Sequence, residues 1–232
     1  HSALSPIINL GLITPAELID RVKKYKNKVK INSYEGFIRQ VIGWREFIRG
    51  VYQKHESDFT KNNYFRNSRK MKQSWYDGKT GIFPLDDAIN KARKFGWNHH
   101  IERLMVIANI MNIARINPKE VYKWFMEFYV DSYDWVMVPN VFGMGLYSDG
   151  GVFATKPYIC ASSYILKMSD YKKGEWTDIV DGLYWKFIDE NREKLRVNPR
   201  IGIMTKMIDT MDKSRKNRIY LAANKFLEEH TI

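Results

Sequence analysis

SYEGFIRQVIGWREFIRGVYQKH (33–55) places apolar side chains at 37, 38, 41, 42, 44, 47, 48, 51 and 52. Steps of three and four trace one face of an α-helix, and no alternation of period two interrupts them. The same period continues on both sides. TPAELIDRVKKY (14–25) adds start signals, with Thr14 at the N-cap, Pro15 at the first helical position and Glu17 at the capping-box position. LDDAINKARKFG (85–96) stops at Gly96, HHIERLMVIANIMNIA (99–114) reads as a buried helix, and NPKEVYKWFMEFYV (117–130) starts at Asn117 with Pro118 behind it. Two closing helices are expected over 182–196 and about 198–229. The chain is all-α, without internal repeats or low-complexity segments.

Two stretches lack the period. Residues 56–81 are polar, basic and broken by turn residues, and read as a long surface excursion. Residues 131–182 read as a loop-rich stretch carrying Asp131, Asp134, Asn140 and several glycines between aromatics. An irregular segment this long in a compact helical domain usually surrounds a ligand.

The 232 residues suit one large helical domain or two small ones, and 44% hydrophobic with 14% aromatic residues supply a core. Thirty-eight Lys and Arg stand against 26 Asp and Glu, a net charge of +12 that favours a polyanionic partner, nucleic acid or an anionic surface. The single Cys160 excludes an intramolecular disulfide and any all-cysteine metal cluster, and fits a reducing, cytoplasmic compartment. No apolar run approaches the roughly 20 residues of a membrane span, so no membrane partner is expected. A sequence opening on HSALSPIINLGL without Met reads as a fragment of a longer protein.

GWNHHIERLM (96–105) packs four titratable groups into one turn. Helical neighbours point about 100° apart, so His99 and His100 face different surroundings, whereas His100 shares a face with Arg103 and His99 with Glu102. Adjacent histidines do not have the spacing of a helical zinc site, and no metal is expected there. A histidine acting as general acid beside a ligand pocket competes with a hydrogen-bonded core histidine. In EGFIRQVIGWREFIRG (35–50), Arg39, Arg45 and Arg49 surround an apolar stripe containing Trp44. A core Trp with solvated arginines and a surface for an unstacked base are equally compatible with that pattern. Ser2 and Ser5 stand where hydroxyls cap helices or bind anions, and Trp97, Trp124, Phe125, Tyr133 and Trp135 are ordinary core aromatics unless a redox cofactor is present.

Taken together, SALSPIINLGL, EGFIRQVIGWREFIRG, GWNHHIERLM, DWVMVPNVFGM, GGVFATKPY, ASSYILKMSDY and LYWKFI with NPR resemble the C-terminal, flavin-binding half of the photolyase–cryptochrome superfamily. The branch most resembled is that of the prokaryotic (6-4) photolyases, and the likeness runs over essentially all of 1–232. It implies a helical domain that buries a U-shaped FAD, behind an N-terminal α/β antenna domain that this chain lacks; the antenna chromophore cannot be read from it. It also implies light-driven electron donation from reduced FAD to a (6-4) pyrimidine–pyrimidone lesion flipped out of UV-damaged DNA, by a protein expected to be monomeric.

Site residues follow from the same resemblance. Ser2, Leu4 and Ser5 match the segment that holds the FAD phosphates, and Trp44 and Arg45 match a segment lining the cavity. Arg103 and Asp134 match an Arg–Asp pair beside the isoalloxazine, and Asn140 the residue facing its reactive central nitrogen. His100 matches an active-site proton donor with His99 adjacent, its pKa expected to be raised by a nearby carboxylate. Trp124 and Trp75 match members of an electron-transfer chain leading in from the surface. Arg39, Arg49, Lys156 and Lys172, with the basic excursion at 61–72, are the expected DNA contacts.

One departure stands out. The branch usually carries a [4Fe–4S] cluster on four cysteines, but the corresponding places here hold Pro84, KKGEW after Ser-Asp-Tyr, and TDIVDG before Leu-Tyr-Trp. One thiol cannot supply four thiolates, so no cluster is expected. Two other functions remain open beside repair: a cryptochrome-type blue-light receptor with the same FAD, and a non-catalytic DNA-binding helical module without flavin.

Overall fold

A computed structural model describes residues 4–232, and every regular element among them is helical. The helices are α1 (Ser5–Asn9), α2 (Pro15–Lys23), α3 (31–61), α4 (Ser74–Asp77), α5 (Phe83–Phe95), α6 (100–113), α7 (Pro118–Phe128), α8 (134–145), α9 (Ser162–Lys167), α10 (Glu175–Glu190), α11 (Arg192–Arg196), α12 (Ile203–Met207) and α13 (Lys213–His230). Among the described residues two isolated bridges, Arg69–Ile116 and Met71–Thr231, join extended backbone.

The local stop and start chemistry works as the residues dictate. The Thr14 hydroxyl accepts the Glu17 N–H while the Glu17 carboxylate accepts the Thr14 N–H, closing a capping box at α2. The Asn117 side chain accepts from Lys119 N–H at the start of α7. Gly96 ends α5 at φ +60°, and a Cβ there would come within 2.5 Å of Val130 Cγ1.

α6 is the axis of the domain. Its residues from Leu104 to Ile113 are all buried, and α5, α8 and α10 pack around it. The fully buried Asn109 ties the 146–161 loop to this axis: its Oδ1 accepts Cys160 N–H at 2.9 Å and its Nδ2 donates to Cys160 O at 3.2 Å. The same burial pushes the Cys160 thiol up to about 12. α10 and α13 form the other broad contact, and Gly182 permits it, since a Cβ would stand 1.9 Å from Ile219 O.

Three expectations need correction. The 56–81 excursion is not a surface loop: α3 runs on to Lys61, and Phe59, Phe65, Asn67, Met71 and Trp75 are buried. Lys70 and Lys72 pair through backbone hydrogen bonds with Ile232 and His230, and Arg69 pairs with Arg115 and Asn117, which fixes this segment against the body. Secondly, 131–182 holds α8, α9 and the start of α10. Pro139 does not break α8 because the helix widens there into π geometry, as in Leu146 N–H donating to Val141 O five residues back. Finally, the closing helices begin at 175 and not 182, and the last is divided into α12 and α13 where Asp212 caps α13 through Arg215 N–H.

Gly182→Ala is expected to lower the unfolding free energy by about 3 kcal/mol, because a backbone carbonyl cannot move aside as a side chain can. Urea denaturation read by circular dichroism checks this; a loss under about 0.5 kcal/mol would show that α10 and α13 separate easily.

Candidate functional site

A cavity of 730 Å³ opens between α1, α3, α6 and α8. Three π-helical stretches line it: Arg39–Trp44 within α3, Glu102–Ala108 within α6 and Pro139–Gly145 within α8. Each contributes at least three wall residues, among them Gln40, Trp44, Arg103, Leu104, Asn140 and Met144. A π turn inserts one residue into a helix and turns the side chains that follow, a device often found at functional sites.

The polar floor is built around Asp131. Arg103 Nη1 donates to Asp131 Oδ1 at 2.8 Å and Nη2 to Oδ2 at 3.2 Å, a bidentate pair whose side chains are 13% and 7% exposed. Ser5 Oγ donates to Asp131 Oδ2 at 2.6 Å and Asn9 Nδ2 to the Asp131 carbonyl at 2.9 Å. Arg103 also donates from Nε to Asn98 O and lies 4.0 Å over the Tyr129 ring, whose hydroxyl donates to Asn98 Oδ1. Across the cavity, Arg45 donates to Asn9 Oδ1 at 3.0 Å and lies 4.6 Å over Trp135.

Of the expected site residues, the structure brings Leu4, Ser5, Trp44, Arg45, His100, Arg103 and Asn140 to this one cavity. Ser2 lies outside the described residues. The Ser5 hydroxyl proton is directed to Asp131, and Asn140 Nδ2 donates back to Val136 O at 2.7 Å. Asp134 is corrected: Arg103 pairs with Asp131, while Asp134 sits exposed in the first turn of α8 and accepts the Tyr122 hydroxyl at 2.5 Å. His99 does not line the cavity; its Nδ1 accepts Ile101 N–H at the start of α6. Trp75 and Trp124 touch one another, Trp124 Nε1 donating to Trp75 O at 3.0 Å, but both are fully buried, so neither is a surface terminus. Arg39 and Arg49 lie outside the cavity and pair with Glu35 and Glu46 on their own helix. Lys172 is exposed and Lys156 half-buried, both away from the lining.

Sequence reasoning passed over Asn9, Gln40 and Asn98 as wall residues. Trp97, Phe125 and Trp135, read as core aromatics, also line the cavity.

His100 stands accessible at the cavity wall, and its pKa is lowered and not raised. Crowding by the surrounding protein is the main cause, followed by the positive charges of Arg103 and His99; no carboxylate reverses it. In the free protein the imidazole is therefore mainly neutral at pH 7.

The lining suits a dinucleotide with a fused-ring end. The guanidinium of Arg45 matches phosphate charge, while Phe37, Val41, Leu104, Val141 and Met144 give apolar walls. Gly145 keeps the floor low, since a Cβ would come within 3.1 Å of Ala108 Cβ.

An all-helical domain closed around such a cavity defines a cofactor-binding domain, and comparison with known proteins identifies its kind. Residues 37–171 match the family described as the FAD binding domain of DNA photolyase, and the chain belongs to that family. It is 38% identical to a (6-4) photolyase of Agrobacterium fabrum over 214 residues, 87% of this chain and 42% of that protein. An uncharacterized protein of Acanthamoeba polyphaga mimivirus is 50% identical over 115 residues, 49% of this chain and 89% of that protein. A deoxyribodipyrimidine photo-lyase of Streptomyces griseus is 26% identical over 135 residues, 56% of this chain and 29% of that protein. The chain thus spans less than half the length of the photolyases it matches.

Two outcomes are expected. Asp131→Asn should destabilise by about 3 kcal/mol, because it leaves Arg103 a buried cation without its counter-charge. Asp134→Asn should cost less than about 1 kcal/mol, as an exposed hydrogen bond; equal losses in urea denaturation would undo the assignment of Asp131. The second concerns acid. A folded-state pKa below the ordinary 6.5 makes the His100 contribution fully present above about pH 6.5 and lost as pH falls through the depressed value. Stability measured from pH 7 to pH 5 should therefore fall, and His100→Gln should flatten that fall, with the half-buried His230 leaving a residual slope.

Proposed function

We propose that this chain holds FAD in the cavity and, within a longer photolyase-type protein, supports light-driven repair of (6-4) photoproducts in UV-damaged DNA. The observation that carries this is convergence: Arg45, His100, Arg103 and Asn140, from three separate helices, line one cavity in a chain of this family. Bound FAD would supply a photochemical one-electron reductant.

The chain's own residues do the rest. Arg103, neutralised and held flat by Asp131, presents a fixed donor edge; Arg45 and Gln40 suit the phosphates. Asn140 lines the cavity with its amide nitrogen engaged with Val136, so Oδ1 is the atom left to accept a hydrogen bond. Trp44, Phe47 and Phe153 form an aromatic lip, with ring centroids 5.6–6.1 Å apart, on which an extruded base would stack. A nitrogen of His100 holds the proton that the lesion's migrating hydroxyl needs. Its depressed pKa means that phosphate charge must arrive before the proton does: bound DNA would raise it, coupling protonation to occupancy. No iron–sulfur cluster is part of this reading, because Cys160 is the only thiol and its buried sulfur faces Asn109 and Met105 O.

The test is a flavin spectrum followed by blue-light repair of a (6-4) oligonucleotide by the full-length protein. Wild type should bind flavin and repair. His100→Ala should keep flavin, photoreduction and lesion binding while repair drops on the order of 10², and repair should fall as pH rises. Absence of flavin would favour a plain DNA-binding module, and flavin without repair a light receptor.

A further inference from the structure

A second concavity lies at the opposite end of α6 from His100, roughly 20 Å away along the helix. It encloses 460 Å³ and is lined by Phe65, Arg66, Ser68, Arg69, Arg115, Glu190, Asn191 and Ile232. Three guanidinium groups therefore face one small space. Glu190, paired with Arg115, is the one acidic side chain in a lining that also includes the terminal residue Ile232. Arg69 spends one donor on Thr231 Oγ1 at 3.1 Å, and the Arg66 guanidinium spends none on any described residue. Arg66 is exposed and Arg69 half-buried, and burial together with the Arg115 charge holds the Arg69 pKa low.

The backbone gives an independent observation. Arg66 and Arg115 have φ of +58° and +61°, and they are two of the three non-glycine residues at positive φ among the described residues. Glycine would adopt that conformation without strain, whereas a residue with a Cβ is disfavoured there by about 1–2 kcal/mol. Both positions nevertheless hold Arg, and both point into the same pocket. Side chains kept against charge repulsion and backbone strain imply an anion that relieves the first and compensates the second.

We propose that this pocket is a second binding site, separate from the large cavity, for a terminal phosphate group, a phosphate monoester dianion. Planar guanidinium forks converging with the Ser68 hydroxyl match a group that offers three free oxygens. A backbone diester offers two, so it leaves one of these donors unmatched. The terminal phosphate belongs either to a nucleoside monophosphate or to the phosphorylated end of a nucleic acid strand.

The experiment titrates the protein with inorganic phosphate, AMP, and a short oligonucleotide with and without a 5′-phosphate, using calorimetry and ³¹P line broadening. Wild type should bind phosphate and AMP, or bind the 5′-phosphorylated strand more tightly than the unphosphorylated one; the stronger arm identifies the source. Arg66→Gly should weaken that binding at least about tenfold, the scale of one lost charge-assisted contact. Its melting temperature should stay the same or rise, because glycine relieves the left-handed strain. Arg69→Gln should weaken binding further. Absence of phosphate binding by wild type up to millimolar concentration would overturn the proposal. So would binding that survives Arg66→Gly and Arg69→Gln, since it would then belong to the arginines of the large cavity.

Discussion

The Asp131 carboxylate holds together two parts of the molecule that hydrophobic burial leaves unjoined. α1, α2 and α3 as far as Trp44 contain no buried residue, yet they form one wall of the cavity. Their hydrogen bonds to the core converge on Asp131: Ser5 and Asn9 bond to it, Asn9 also receives Arg45, and Asp131 is clamped by Arg103 of α6. A buried ion pair of this kind contributes little net stability by itself, but losing either partner is expensive, so it fixes geometry more than it adds strength. The cavity's shape therefore depends on one carboxylate that receives donors from residues 28 and 126 positions away.

The second organising constraint is the crowding of cationic and ring groups around that carboxylate. Arg103 is stacked on Tyr129 and bonded to Asn98, and Asn98 in turn reaches Ala88 O and Glu102. Glu102 is shared with Lys91, which also holds Asp87, and Asp87 accepts the Tyr171 hydroxyl. His100 sits at the edge of this network without a carboxylate of its own, and its lowered pKa follows from that placement.

Elements whose ends carry local chemistry were legible from residues alone. The Thr14–Glu17 box, Asn117 with Pro118, and Gly96 each act within a few residues, so their signals are complete in the sequence. α8 was hidden because Pro139, Gly143 and Gly145 punctuate it, and only a widened turn lets a helix absorb them. Residues 62–73 read as exposed because their burial comes from backbone pairing with the C-terminus and with Arg115–Asn117, partners that no local window contains. The choice between Asp131 and Asp134 fell the wrong way for a similar reason. Both carboxylates follow α7 closely, and only the extended backbone at Tyr133 decides which one turns inward.

The three π-helical stretches give the cavity a particular kind of adaptability. A π turn differs from an α-helix by one residue, and the helix on either side keeps its axis when that residue is removed. A single-codon deletion in 39–44, 102–108 or 139–145 can be taken up by closing the π turn to an α turn, which changes the side chains presented within that turn while the flanking helix keeps its register. In such a wall, chain length acts as a variable alongside side-chain identity. Ligand preference in this scaffold can then diverge through one-residue deletions inside helices, where an ordinary core helix would lose its register and its packing.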